Sequence, residues 1–154
     1  MTKQRDAMTD HDDPVTYRKL IAEHDAIDAA AYVVLSLTRR DARRPVEAAK
    51  ALEMLAQLLR DHLSGEDAVI YQTILASRGG RHADMAEQMQ VELERLKDDW
   101  ETYLYRWDAV RIDTEWNGFV RDTEAMLSRI RERVTMETMV LYSLALHLDV
   151  IAVA

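Results

Sequence analysis

In four separate stretches of this chain, a stripe of mostly apolar residues advances by alternating steps of three and four. The first runs Tyr17, Leu20, His24, Ile27, Ala31, Val34. The second runs Leu52, Leu55, Leu59, His62, Glu66, Val69, Thr73, and the third Met89, Leu93, Leu96, Trp100, Tyr103, Trp107, Val110. The fourth runs Phe119, Thr123, Met126, Ile130, Arg133, Glu137, Val140, Leu144, His147. This is the seam spacing of helices that bury one face against partners. Only four Gly and two Pro punctuate 154 residues, too few for the turns of a sheet protein. The expected fold is all-α: an up-down-up-down antiparallel four-helix bundle, because short connections make consecutive helices antiparallel neighbours.

Local signals set the expected boundaries. Asp13 followed by Pro14 reads as a cap and first helical position, opening a helix to about Leu37. An arginine-rich turn then leads to Pro45, which opens a helix to about Ser77. Gly79-Gly80 is the clearest break. A third helix is expected from His82 to Ala109, and a fourth from Glu115 to Val150, with Asp113 or Thr114 as its cap. Residues 1–13 read as a disordered lead-in, and 14–154 as a single domain.

Composition removes several classes of function. There is no cysteine, hence no disulfide, thiolate metal site or thiol catalysis. The net charge of −8, with both signs interspersed, argues against a nucleic-acid footprint. No segment approaches the ~18 uncharged apolar residues of a membrane span, and the first residues lack the apolar stretch of a signal peptide. A cytoplasmic location is the default expectation.

Polar residues interrupt three of the seams near their middles: His24, then His62 with Glu66, then Arg133 with Glu137. Buried polar groups are costly unless paired or coordinated, so their place on the inward stripe needs a reason. An internal repeat sharpens this. Shifted by 71 positions, the second stripe falls on the fourth: Leu55 on Met126, Leu59 on Ile130, Glu66 on Glu137, Val69 on Val140, Tyr71 on Tyr142. Shifted by 69, the first falls on the third: Leu20 on Met89, Glu23 on Glu92, Ile27 on Leu96. Such pairs suggest a pseudo-two-fold bundle able to hold two equivalent central sites.

HDAID in the first helix, RDHLSGEDAVIY in the second and RERVTMETMVLY in the fourth resemble the hemerythrin, or HHE cation-binding, family over residues 14 to 146. The resemblance implies a hemerythrin-like bundle with two non-haem irons in its core, used for oxygen binding or for redox, nitric oxide or iron sensing. It matches His24, His62 and Glu66 to ligands of one metal and Glu137 to the second bridging carboxylate. Residue chemistry agrees, because imidazole with carboxylate suits iron, manganese or zinc. The departures all strike the other half. Leu93 and Arg133 stand where the family places histidines, so the ordinary di-iron centre is not expected. The guanidinium of Arg133, permanently charged and able to bind carboxylates bidentately, is the expected occupant of the second metal position.

Three arrangements of the core remain open at this stage: one metal at the surviving half, a metal-free ion-pair network, and a two-metal site rebuilt with Glu92. Asp28, one turn after His24, is a candidate for orienting that ring. Tyr71 and Tyr142 read as packing residues. The apolar C-terminus, LALHLDVIAVA, suggests either a homodimer through that end or packing on the bundle's own end. The favoured function is a metal-binding regulatory, sensing or redox protein, taking oxygen or nitric oxide only if metal is bound. The competing class is a metal-free bundle serving as an interaction or structural module. No motif names a substrate, so an enzyme is the less favoured class.

Overall fold

The computed structural model describes residues 15–41, 43–64, 66–76 and 81–154, and for residues 64 and 66–68 the backbone alone. It is an all-helical bundle with no strand among the described residues. The elements are α1 (Tyr17–Thr38), α2 (Pro45–Ser64), α3 (Glu66–Ala76), α4 (Arg81–Arg106), α5 (Ala109–Thr114), α6 (Trp116–Met136), a π-helical turn (Glu137–Leu141) and α7 (Tyr142–His147). α1 packs on α2 and on α6, α3 on α4, and α4 on α6.

The helix starts follow capping chemistry. The expected start at Asp13-Pro14 lies outside the described residues. The described helix opens at Tyr17, where the Thr16 side chain accepts from the Lys19 amide at 3.2 Å. Pro45 opens α2 as expected, with Glu47 in the first turn. The Gly79-Gly80 break and the lead-in of residues 1–13 also lie outside the described residues. The third helix ends at Arg106, earlier than Ala109, because Asp108 starts α5 by accepting from the Arg111 amide at 2.8 Å. The cap expected at Asp113 or Thr114 is not used: both residues lie inside α5, and α6 opens at Trp116 with Glu115 at the cap position and no side-chain cap bond. Val110, expected on the seam, is 70% exposed. Gly118 lets α6 approach this corner: a Cβ there would stand 3.2 Å from the Trp107 ring.

Two long helices carry a change of phase at matching points of the 71-residue repeat. α2 gives way to α3 at Glu66, and α6 gives way to the π turn at Glu137. The α-helical period places Val69 and Val140 on the seam. They are instead 54% and 36% exposed, while Ile70, Tyr71, Leu141 and Tyr142 are buried. One additional residue within a turn rotates everything beyond it by about 100°, which brings the residues one past the seam inward, while Leu144 of the original stripe stays buried beside Ala145. The same shift leaves Thr73 exposed and buries Ile74.

The fourth helix ends at His147 rather than Val150. Asp149 adopts a left-handed conformation (φ 57°), and the Val150 amide returns to the Ala145 carbonyl at 2.8 Å. The tail then folds against the start of α1. The Tyr17 and Arg18 amides donate to the Ala152 and Val153 carbonyls at 2.8 and 3.2 Å, serving amides that a helix start leaves without partners. Leu144, Ala145 and Ile151 are buried in the core of the same chain. The apolar C-terminus thus packs largely on the bundle's own end.

The buried apolar residues form two clusters. One gathers Ile27, Leu55, Leu59, Trp100, Trp107, Phe119, Leu127 and Ile130, with their neighbours. The other gathers Leu20, Ile70, Tyr71, Met89, Leu93, Leu141, Tyr142 and Ile151. His24, His62, Arg133 and Glu137 fall between the two along their helices, forming a polar layer across the core.

Candidate metal centre

His24 on α1, His62 on α2 and Glu137 at the head of the π turn converge within this layer, all nearly excluded from solvent. The two Nε2 atoms are 3.2 Å apart. Glu137 Oε1 lies 3.5 Å from His24 Nε2 and 3.7 Å from His62 Nε2. One ligand atom from each residue falls within 4.8 Å of the others, a cluster that could hold a metal ion.

The far side of each imidazole is also engaged. His62 Nδ1 lies 2.7 Å from Glu23 Oε2. A carboxylate accepts, so Nδ1 donates to it, and the ring is turned with Nε2 facing the centre. A carboxylate behind a histidine is the usual arrangement that fixes the ring of a metal ligand. His24 Nδ1 meets Thr138 Oγ1 at 2.9 Å. The donor set of two imidazoles and a carboxylate therefore fits a first-row metal such as iron, manganese or zinc.

The phenol of Tyr142 completes the inner group, with its oxygen 2.9 Å from His24 Nε2 and 3.3 Å from His62 Nε2. The ring stacks on His24 at a centroid distance of 5.0 Å. The reading of Tyr142 as a packing residue is incomplete: it is fully buried, and its oxygen belongs to the polar centre. Glu23 and Thr138 were likewise not singled out by the sequence. The available signals were the match of Tyr71 with Tyr142 in the repeat and the place of Glu23 beside the seam histidine.

The other expected residues fall as follows. Arg133 is buried; Nη1 donates to the Met89 carbonyl at 2.9 Å and Nη2 to the Tyr71 phenol. Leu93 is buried and lines a cavity of about 30 Å³, together with His62, Leu96, Trp100, Arg133 and Glu137. The side chain of Glu66 lies outside the described residues; its backbone opens α3. Asp28 is exposed and does not orient His24, a role taken by Thr138 from the π turn. Glu92 is exposed, with Gln88 Nε2 at 3.5 Å from its carboxylate, and does not rebuild a second site. One position off the seam turns each of these two side chains outward. His82 and His147 are exposed, with ring centroids 6.4 Å apart.

Residues 15–145 match the family described as the hemerythrin HHE cation binding domain. The chain belongs to the hemerythrin HHE family. No curated protein and no solved structure matched it. Cation binding is the family's property, and the His24–His62–Glu137 cluster is a candidate site for it in this hemerythrin-like bundle. No helix among the described residues is long and apolar enough to cross a membrane.

Proposed function

We propose that this hemerythrin-like domain holds a single non-haem metal ion and works as a regulatory, sensing or redox protein. His24, His62 and Glu137 are the ligands, with Glu66 at the head of α3 as a further one. Iron is the favoured ion, ahead of manganese or zinc. The observation that carries this reading is the convergence of the three buried donors on one point between two apolar clusters. Bound iron would supply one-electron chemistry or a position for a small ligand such as oxygen or nitric oxide. The chain's own residues do the rest. Glu23 and Thr138 hold the two rings. Leu93, Leu96 and Trp100 border the cavity and keep it apolar. Arg133 places a fixed positive charge where the family's second metal lies, held by Met89 and Tyr71.

The experiment is the metal-to-protein ratio by elemental analysis, on protein supplied with iron, manganese and zinc and purified without chelator or a histidine tag. A ratio near one is expected, falling towards zero in His62→Ala while the helical circular dichroism persists. A ratio near zero in the unaltered chain favours the second reading, a metal-free interaction or structural module. That reading draws on the guanidinium of Arg133 already standing among the site's residues.

A further inference from the structure

We infer that Tyr142 is itself a metal ligand, through its phenolate oxygen, joining the three described donors His24, His62 and Glu137. This rests on the single-metal reading above and adds a residue to it. The inner atoms are His24 Nε2, His62 Nε2, Glu137 Oε1 and Tyr142 Oη. Five of their separations are fixed: 3.2 Å between the imidazoles, 2.9 and 3.3 Å from the phenol to each, and 3.5 and 3.7 Å from the carboxylate to each. Four N and O donors around a tetrahedral zinc ion, at ~2.0–2.1 Å, stand about 3.3–3.4 Å from one another. The observed separations scatter about that length. A phenol serving only to pack would not need to place its oxygen within 2.9 and 3.3 Å of two histidine nitrogens.

The backbone supports the same assignment. In an α-helix, residues five apart point about 140° away from each other. Glu137 and Tyr142 are five apart, yet both face the centre. The wide turn between them makes this possible: the Tyr142 amide bonds back to the Glu137 carbonyl, the i to i+5 bond of a π-helix. Such turns are rare and frequently lie at functional sites. Here the turn spans the interval between the two donors.

Charge favours it as well. A phenolate offsets part of the positive charge that the ion and Arg133 bring into the buried layer, where uncompensated charge is penalised. On binding, the phenol O–H bond breaks, its proton passes to solvent, and the oxygen's electron pair forms the bond to the metal. No change of oxidation state is involved. With Tyr142 bound, an external ligand must displace it or enlarge the coordination shell.

The test loads the purified full chain with iron(III) and records its visible absorption, then repeats the measurement on Tyr142→Phe and Tyr71→Phe. A phenolate-to-iron charge-transfer band is expected in the unaltered chain and in Tyr71→Phe, and is lost in Tyr142→Phe. Zinc affinity, by calorimetric titration, should fall at least ~10-fold in Tyr142→Phe. Iron bound without the band, or a band that survives Tyr142→Phe, overturns the inference while leaving the single-metal reading intact. No iron or zinc bound by the unaltered chain overturns both. The spectrum of the unaltered chain decides the matter even if Tyr142→Phe does not fold.

Discussion

Arg133 donates a hydrogen bond to the phenol of Tyr71, and this pair is the image, 71 residues displaced, of His62 and Tyr142. In each, a side chain of the seam meets a tyrosine lying just past the change of helix phase. One half presents a metal-ligand chemistry, imidazole; the other presents a permanent cation. Leu93, the image of His24, completes the difference by replacing a donor with hydrocarbon.

Removing that cation should be costly. Arg133 is buried beside Glu137 in the polar layer and donates to Met89 and Tyr71. Arg133→Ala is expected to lower the stability of the metal-free chain by ~3–5 kcal/mol, the range for breaking a buried charged pair. Urea denaturation in the presence of a chelator measures it, and an unchanged midpoint would show that the guanidinium neutralises nothing.

Restoring the missing donors should restore the missing ion. In the double variant Leu93→His with Arg133→His, the metal-to-protein ratio should rise from about one to about two. Elemental analysis under iron-replete conditions gives the answer. A ratio that stays at one would mean that the lost half needs more than its two histidines.

Glu23 should act on the metal through His62. Glu23→Ala releases the Nδ1 proton from its acceptor and frees the ring's orientation, which commonly costs 10–100-fold in metal affinity. Calorimetric titration with zinc would register the loss. Glu23→Gln still offers an oxygen to Nδ1 and should lie between the two. Equal affinity in all three proteins would limit the Glu23–His62 contact to the metal-free state.

Away from the centre, Tyr103 predicts a response to alkali. Burial pushes its phenol well above the usual tyrosine value; its hydrogen bond with Thr123 pulls the other way, and the charge of Asp122 adds to the rise. The unfolded chain therefore loses this proton at a lower pH than the folded one. Stability from this group is full below about pH 10, the ordinary tyrosine value, and falls as the pH rises above it. Tyr103→Phe should flatten that decline in thermal melts recorded across alkaline pH. A slope identical to that of the unaltered chain would remove Tyr103 as its source.

Much of this was legible in the residues. The stripes of α1, α2 and α4 place Leu20, His24, Ile27, Leu55, Leu59, His62, Met89, Leu93 and Trp100 inward, and all are buried. What the sequence concealed lies past the two phase changes. A period of 3.6 carried through Glu137 points to Val140 and leaves Tyr142 off the seam, and nothing in the side chains announces the extra residue. Glu23 was hidden for another reason: its partner is on a different helix, and the relative rotation of α1 and α2 sets that contact. The short helix α5 was hidden too: Asp108, Asp113 and Thr114 are all short acceptors able to cap, so local chemistry alone did not place a helix start at Asp108.

The bond between Tyr142 and His24 joins residues 118 positions apart. The ribosome delivers both histidines of the site long before it delivers Glu137 and Tyr142. Until the last helix docks, the emerging chain shows two imidazoles and no enclosure. Closing so long a loop is a late and entropically costly step of folding. Metal caught earlier would meet an open pair of histidines with little selectivity. The full donor set of the candidate site therefore exists only once the chain has closed over this 118-residue span.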